Sequence, residues 1–377
     1  MFLGIREIFS ARGRFALIAA VVGLLTLLLV MLTGLTGGLG QQNTAGLESL
    51  TADRLVFGSA GSQEPEVSFT SSSVTAGEQK IWANQDGVDS ATPVGISQTV
   101  LEGSAASPSI AVFGIPAGSS LLHDSVGHAL EGFTELSDST VVLGETIAQD
   151  SGTKVGDKVT ISGNTFTVGG IVADTYYSHT PVMWADTAAW QKIGHVNAGA
   201  SQQPADQEIV GTVLAISAPH ADDAALTSAA DQSGTKAVTT KESFQGLAAF
   251  QSERGSLQAM QGFLYGISAL VTLSFLTVWT IQRTRDLAVL RALGASTGYL
   301  LRDAMIQAAI ILFGGAALGA LLGWVLGALA QNALPFQLNL LTVLGPAVGI
   351  WAIGLAGSFI ATARITKIDP MIALGGN

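Results

Sequence analysis

Four long apolar runs that contain no charged residue set the first limit on how this chain can fold. They cover residues 15–36, 257–281, 304–330 and 340–361. A helix needs about 20 apolar residues to cross the hydrocarbon core of a bilayer, and each run is long enough. A polar block, residues 41–254, separates the first run from the second. The pattern predicts an integral membrane α-helical protein with four transmembrane helices and a large domain inserted between helices 1 and 2.

The composition agrees with a membrane protein and excludes several classes of function. Only 12% of the 377 residues are charged, whereas soluble proteins carry about a quarter. The net charge of −11 comes mainly from the polar block, and there is no basic patch of the kind that binds nucleic acid. Cysteine is absent, which excludes disulfides, thiolate metal sites and cysteine nucleophiles.

The positions of Lys and Arg predict the orientation in the membrane. Basic residues precede the first run, separate the second from the third, and follow the fourth, whereas residues 332–339 carry no charge. Because loops rich in Lys and Arg stay in the cytoplasm, both termini and residues 282–303 are predicted to be cytoplasmic. The polar block is then extracellular.

The first apolar run could instead be a cleaved signal peptide. The hydrophobic region of a signal peptide usually has about 7–15 residues, and residues 15–36 form a longer run. No convincing small-x-small cleavage site follows it. We therefore expect a membrane anchor that continues outward as a stalk.

The extracellular block is predicted to have an α+β fold, with two subdomains. Residues 140–175 show the clearest pattern: a strand at 141–143, a short helix at 145–150, and strands at 155–161 and 165–172. The alternation of apolar and polar residues in the last two is typical of half-buried antiparallel sheet. A second unit is predicted with a strand at Val210 to Ile216 and a helix at Ala221 to Ser233, where Asp222 and Asp223 suit the helix N-terminus.

No catalytic motif is present in the sequence. The five histidines are scattered, and His123 and His128 are five apart, which does not fit a metal pair on one helix face. There is no Gly-x-Ser-x-Gly elbow and no Gly-x4-Gly-Lys-Ser/Thr phosphate loop. The apolar runs also lack the buried charges at which gradient-driven carriers bind their coupling ions. The chain is therefore expected to be neither an enzyme nor an ATPase nor a secondary transporter.

A charged segment between the second and third runs suggests where energy could enter from another protein. Residues 282–303 are predicted to lie on the cytoplasmic surface and to contain a helix that ends at Gly294. Its charged positions are Arg283, Arg285, Asp286 and Arg291. A separate ATPase that docks on this helix would supply the missing energy source.

Three motifs in register resemble the permease subunits of MacB/FtsX-type ABC transporters. The start GIREIFSARGRFALI looks like the amphipathic N-terminal helix of that family. The segment RTRDLAVLRALGAS resembles its Glu/Asp-Ile-Gly-x-Leu-Arg-Ala-Leu-Gly-Ala signature, with Ala288 where glycine is usual. The tail from Asp369 to Leu374 resembles its closing Asp-Pro-x-x-Ala-Leu. The order of one span, a large outer domain and three spans covers the whole chain.

The resemblance implies a division of the chain and a set of partners. Residues 282–303, including Arg283 to Gly294, would be the coupling helix that contacts the ATPase. The working unit would be two permeases and two cytoplasmic ATPase subunits that bind ATP and magnesium, in the bacterial cytoplasmic membrane. The expected parts are an amphipathic cytoplasmic helix (1–14), helix 1 and stalk (15–50), the extracellular domain (51–250), stalk and helix 2 (251–281), the coupling helix (282–303), helices 3 (304–330) and 4 (340–361) and a cytoplasmic tail (362–377).

Within that family the chain is most similar to haem-efflux permeases of the HrtB type, especially actinobacterial ones. The similarity rests on the start MFLGIREI, the size of the outer domain and the segment TYYSHTPVMWAD. It implies that haem is the transported ligand, taken from the outer leaflet at the interface of a permease homodimer. No cofactor of the chain's own is expected.

A stripe along the first helix suggests where such an interface lies. One face of this helix has a stripe with a spacing of three and four residues: Leu24, Leu27, Met31, Gly34, Gly38, Gln41, Ala45 and Glu48. The Gly-x3-Gly pair lets two helices approach closely in lipid. Met31 and Glu48, about 25 Å apart on a helix, are candidate ligands of the haem iron, because thioethers and carboxylates can both serve as axial ligands.

Further substrate contacts are expected at the outer ends of the polar block. Glu253 and Met260 repeat the carboxylate and thioether on the second helix, and Arg54 and Arg254 are nearby cations for the propionates. The alternative is that Met31 and Met260 only pack against their neighbours, and that Glu48 and Glu253 are solvated stalk residues. The cluster Tyr176 to His179 could contact an iron-bearing ligand, or it could be an aromatic loop that packs on Trp184.

Two other functions fit the same scaffold. One is a MacB-type exporter of a peptide, antibiotic or lipoprotein. The other is an FtsX-like transmitter that regulates a cell-wall hydrolase and transports nothing. The outer block is larger than the small loop expected of such a transmitter.

Overall fold

The computed structural model describes most of the chain and separates it into two compact units. The described residues are 12–59, 64–126, 136–198, 204–282, 289, 293–331 and 333–365. The outer unit is Gly40–Glu253, and the membrane unit comprises Met1–Leu39 and Arg254–Asn377.

The first helix, α1 (Arg12–Glu48), carries the first apolar run and continues well beyond it. Its 37 residues correspond to about 55 Å at 1.5 Å per residue. The hydrocarbon core of a bilayer is only about 30 Å thick. The length of α1 is sufficient for a membrane-spanning part and for the predicted stalk.

The outer unit is an α+β domain, in agreement with the sequence prediction. Its strands are β1 (Arg54–Phe57), β2 (Val74–Thr75), β3 (Ser90–Glu102), β4 (Ser109–Gly114), β5 (Thr140–Gly144), β6 (Lys158–Ile161), β7 (Asn164–Val172), β8 (Tyr176–Tyr177), β9 (Thr180–Ala185), β10 (Ile209–Gly211), β11 (Val213–Ser217) and β12 (Lys236–Thr239). Its helices are α2 (Ala76–Ala83), α3 (Ser120–Val126), α4 (Glu145–Ser151), α5 (Thr187–Ile193), α6 (Asp223–Ser233) and α7 (Thr240–Ser243).

One long strand joins the two halves of this domain. The main sheet has the order β12-β1-β11-β3-β4-β9-β5-β7-β6. Strand β3 pairs with β11 through Ser90–Val94, with β4 through Gly95–Val100, and with β6 at Leu101 and Glu102. The strands from β3 to β6 in this order thus close on themselves, which leaves no free edge among them.

Each half has a core of large apolar side chains. In the closed half, Trp184 packs edge-on against Phe113, and Phe113 against Tyr177, with ring centroids 5.4 and 5.6 Å apart. In the other half, Trp82 of α2 is fully buried in a cluster with residues of α6 and the sheet. Its indole nitrogen donates to Thr235 Oγ1 at 3.0 Å. Burial of such side chains is the dominant stabilising contribution to a domain in water.

The local predictions for this domain are mostly confirmed. Strands β5 and β7 and helix α4 lie where the pattern placed them, although β6 begins at Lys158 rather than Val155. The predicted strand from Val210 to Ile216 is two strands instead. Thr212 separates the two strands. Its buried hydroxyl accepts from the Ile96 amide at 2.8 Å and donates to the Ile96 carbonyl at 3.1 Å. Helix α6 is capped by Asp222, which accepts from the Ala225 amide at 2.7 Å.

Three further long helices follow the outer domain. They are α8 (Ala248–Gln282), α9 (Thr297–Ala330) and α10 (Leu340–Ile365). Among the described residues, three segments are long and apolar enough to span a membrane: Phe15–Glu48, Thr297–Ala330 and Leu340–Thr362. The second predicted span lies on α8, outside those three, so the total of four stays a prediction.

Small residues make the contact between α1 and α9. Gly315, Gly319 and Gly323 are buried on one face of α9, four residues apart. A Cβ atom on Gly319 would overlap the backbone oxygen of Gly23, and one on Gly323 would press on Val30. The two helices therefore meet nearly backbone to backbone, the arrangement that stabilises helix pairs in lipid.

Candidate functional site

The hairpin between β8 and β9 has an unusual turn. Tyr177 pairs with Thr180, and the two residues between them, Ser178 and His179, have φ angles of 47° and 63°. A two-residue hairpin with positive φ at both positions usually contains Asn-Gly. Residues with a Cβ in the left-handed region cost about 1–3 kcal/mol each, and such strain concentrates at functional sites.

Contacts with α1 hold this strained turn in place. The backbone amides of Ser178 and His179 donate to the carbonyls of Asn43 and Gln42, at 3.1 and 3.0 Å. Both acceptors belong to the part of α1 within the outer unit. Backbone hydrogen bonds alone therefore attach this turn to α1.

The His179 imidazole lies in a polar cluster built by three elements. Its Nε2 is 2.8 and 3.0 Å from the two carboxylate oxygens of Glu253, at the start of α8. Asn43 Nδ2 donates to Glu253 Oε2 at 2.9 Å and lies 3.1 Å from His179 Nε2. His179 Nδ1 lies 3.4 Å from Gln42 Oε1. The His179 and Glu253 side chains are 30% and 37% exposed, so solvent reaches this pair.

The tyrosine that precedes this turn, Tyr177, belongs to the hydrophobic core. Tyr177 is buried and packs edge-on against Phe69 and Phe113. Burial raises the pKa of Tyr177, so the phenolate that would ligate iron is disfavoured. The packing interpretation is confirmed for Tyr177, which reaches Trp184 through Phe113. It does not describe His179, whose ring contacts Glu253.

Sequence reasoning did not connect His179 with Glu253. The two residues are 74 positions apart, and neither belongs to a motif with a fixed spacing. Glu253 was predicted as a substrate contact because of its place on the second stalk. The sequence indicated His179 only as part of the cluster from Tyr176 to His179, because Tyr and His can both ligate iron.

Other predicted contacts in the outer unit are separate from this cluster. Glu48 is exposed near the end of α1 and accepts from Thr44 Oγ1 at 3.0 Å. The guanidinium of Arg54 lies 3.2 Å from the carboxylate of Asp223, with 29% and 92% of the two side chains exposed. Such a pair contributes little to stability.

In the membrane unit, the predicted glycine pair contacts residues of its own chain. Gly34 and Gly38 are buried. A Cβ atom on Gly34 would overlap the Phe336 ring, and one on Gly38 would overlap the Pro335 carbonyl. The Gln337 amide also donates to the Gly34 carbonyl at 2.9 Å. The close approach that these glycines allow is made here to residues of the same chain, and their place at a seam between two copies stays a prediction.

Met31 and Met260 are the two methionines whose thioethers were predicted to contact the substrate. Met31 is half-buried on α1, and Met260 is 45% exposed on α8. Their role as substrate contacts stays a prediction.

Only the end of the predicted coupling helix lies within the described residues. Val289 is helical, and the Leu293 amide donates to its carbonyl at 3.0 Å. Gly294 has a φ of 96°, the left-handed conformation with which helices commonly end. The predicted termination at Gly294 is confirmed. Arg283, Arg285, Asp286 and Arg291 lie outside the described residues.

Across the residues that the structure covers, no group of three or more His, Asp or Glu side chains could hold a metal ion.

Comparison with known proteins covers nearly the whole chain. The MacB-like periplasmic core domain model matches residues 15–233, and the FtsX-like permease C-terminal model matches residues 260–370. A Staphylococcus haemolyticus protein named hemin transport system permease protein HrtB is 25% identical over 100% of this chain and 99% of its own length. A Staphylococcus epidermidis protein of the same name is 26% identical over 58% of this chain, and the match spans only 59% of that relative.

One solved structure gives a weaker match to part of the chain. It is the periplasmic region of MacB from Actinobacillus actinomycetemcomitans, with 15% identity and a TM-score of 0.37. The match covers 53% of this chain and 94% of that one.

Proposed function

Because this chain belongs to the MacB/FtsX family of ABC transporter permeases, we propose that it is the membrane subunit of a haem-efflux pump. In this proposal it takes haem from the outer leaflet at the interface of a permease homodimer. A separate cytoplasmic ATPase, present in two copies, supplies the energy. The chain itself is a transport component.

The observation that carries the choice of haem is the similarity to a hemin transport permease over the full length of both chains. The chemistry of the candidate contacts supports it. Glu48, Glu253, Met31 and Met260 supply carboxylates and thioethers, and His179 adds an imidazole. These are the side chains that bind haem iron in proteins or neutralise its charge.

The proposal also assigns an orientation and a path for the driving force. Both termini and residues 282–303 lie in the cytoplasm, and the outer unit lies outside the bacterial cytoplasmic membrane. The ATPase pushes on Arg283 to Gly294, and α8 and α9, which flank this segment, carry the movement into the membrane. A helix transmits displacement well because its backbone hydrogen bonds make it stiff along its axis.

Binding of ferric haem to the purified full-length chain tests the substrate. We expect a saturable shift of the Soret band in detergent or nanodiscs. Glu48→Ala and Met31→Ala should each weaken binding or change the band, because each removes a candidate ligand. Thr44→Val is a matched control for Glu48→Ala, since it removes the hydroxyl that donates to Glu48 but keeps the carboxylate.

A parent protein that gives no saturable Soret shift would contradict haem as the substrate. It would leave the assignment as an ABC permease intact. In that case a MacB-type export function for a peptide, antibiotic or lipoprotein becomes the leading candidate, because the match to the MacB-like core domain covers most of the outer unit.

A further inference from the structure

We propose that a groove between α9 and α10 binds one acyl chain of a phospholipid from the outer leaflet. The groove has a volume of about 590 Å³, within the range of about 300–1,000 Å³ that is usual for ligand sites. The inference goes beyond the proposed function and does not depend on haem as the substrate. It uses the proposed orientation only to place the groove in the outer half of the bilayer.

The surface of the groove is almost entirely apolar. In the described part of the chain, its lining consists of Ala, Val, Leu, Phe and Trp residues of α9 and α10. The indole nitrogen of Trp351 donates to the Ala309 carbonyl at 3.2 Å, so the polar atom of this side chain already has a partner. A ligand that needs ion pairs or several hydrogen bonds does not fit such a lining, whereas a hydrocarbon chain needs neither.

Small residues form the depression between larger neighbours. Ala316 and Ala320 are buried, and Ala317 is exposed beside them. On the same helix, Phe313 and Leu321 are 65% and 57% exposed. The alternation of small and large side chains on α9 therefore produces a groove rather than a smooth surface.

The length of the groove matches one leaflet of a bilayer. Its lining on α9 runs from Phe313 to Trp324, which is about 16 Å at 1.5 Å per residue. Half of the hydrocarbon core of a bilayer is about 15 Å thick. Trp324 is 52% exposed and lies near the end of α9 at Ala330. Since Trp favours the region where acyl chains meet headgroups, the lipid headgroup should lie at this end, which faces outward in the proposed orientation.

An acyl chain suits this space better than water or a helix. Water is disfavoured because an apolar cavity offers it too few hydrogen-bond partners. A helix with its side chains is at least about 10 Å thick, so a length of about 16 Å would need roughly twice the volume of the groove. An empty groove would lose the dispersion contacts of its lining. The acyl chains of the surrounding bilayer supply those contacts.

Quenching of tryptophan fluorescence by a brominated phospholipid tests the inference. The probe is a phosphatidylcholine with bromine in the middle of one acyl chain, titrated into the full-length chain in detergent. We expect a saturable fall in fluorescence, because Trp324 and Trp351 line the groove.

Two variants fill the groove from opposite sides. Ala317→Phe on α9 and Val348→Phe on α10 each change an exposed residue of the lining. Each should weaken the saturable binding about tenfold, because the new ring takes the place of about two methylene groups of the lipid. Leu318→Phe is the matched control, since Leu318 is 58% exposed and does not line the groove. It should bind the probe as the parent does.

Native mass spectrometry provides a second readout, in which Ala317→Phe should retain one phospholipid fewer per chain than the parent. Quenching without saturation, equal in the parent and both groove variants, would mean that the groove only exchanges with bulk lipid and would overturn the inference. If the groove variants separate two copies of the chain but leave quenching unchanged, the groove is a contact between copies, and the inference is also overturned. Haem binding is measured separately, so either result leaves the proposed function standing.

Discussion

The outer unit and the membrane unit are held together by different means, although one chain builds both. In the outer unit, large aromatic and aliphatic side chains such as Trp82, Trp184 and Phe113 fill the cores. In the membrane unit, the closest contacts of α9 with α1 are made by glycines at 315, 319 and 323. Many large apolar side chains there are exposed instead, for example Phe313 at 65% and Leu329 at 65%.

The difference follows from the solvent around each unit. In water, burial of a large apolar side chain is favourable in itself. In lipid, a leucine side chain has about the same free energy whether it faces the lipid or another helix. Helix association therefore depends on close packing and backbone contact. Stability should therefore respond to side-chain truncation in one unit and to side-chain enlargement in the other.

The largest expected effect is truncation of an outer core residue. Trp184 is 1% exposed and packs against Phe113. Trp184→Ala should destabilise the outer unit by about 3–5 kcal/mol. Chemical unfolding of the full-length chain in detergent, followed by near-ultraviolet circular dichroism, measures this. A midpoint equal to that of the parent would contradict the packing described for this core.

A smaller effect is expected from adding one methyl group in the membrane unit. Gly319→Ala places a Cβ against the Gly23 carbonyl, and the helices must separate. Overpacking of this kind costs about 1–3 kcal/mol. Thermal unfolding of the full-length chain in detergent should show a lower midpoint for the helical signal.

The smallest effect is expected from Gly314→Ala, the matched control for Gly319→Ala. A Cβ on Gly314 meets nothing within 4 Å, and alanine favours a helix over glycine by about 1 kcal/mol. Stability should stay equal or rise slightly. Equal losses for Gly314→Ala and Gly319→Ala would mean that backbone contact does not hold α1 to α9.

The sequence was sufficient wherever a local pattern decides the structure. Apolar runs without charge identify the long helices, and alternation in residues 140–175 identifies β5, β6 and β7. Asp222 and Gly294 mark helix ends because capping chemistry is local. The interruption between β10 and β11 was not predicted. It depends on hydrogen bonds between Thr212 and Ile96, which are far apart in the sequence.

Contacts between residues that are far apart in the sequence could not be predicted from local patterns. The Gly34–Gly38 pair correctly predicted close approach, but a pair of small residues does not specify its partner, which is the segment at Pro335 and Phe336. His179 and Glu253 meet only because the hairpin folds onto the stalk helix. No motif with a fixed spacing indicates that His179 and Glu253 are in contact.

The measurement that tests the central claim most directly is ATP-driven movement of haem in proteoliposomes that contain the chain and its ATPase. The account predicts ATP-dependent haem transfer out of the bilayer and haem-stimulated ATPase activity. Arg291→Glu should abolish both, because it reverses a charge on the proposed coupling helix, while haem binding stays at the parent's level. Haem transfer that is independent of ATP, or full stimulation in Arg291→Glu, would contradict the account.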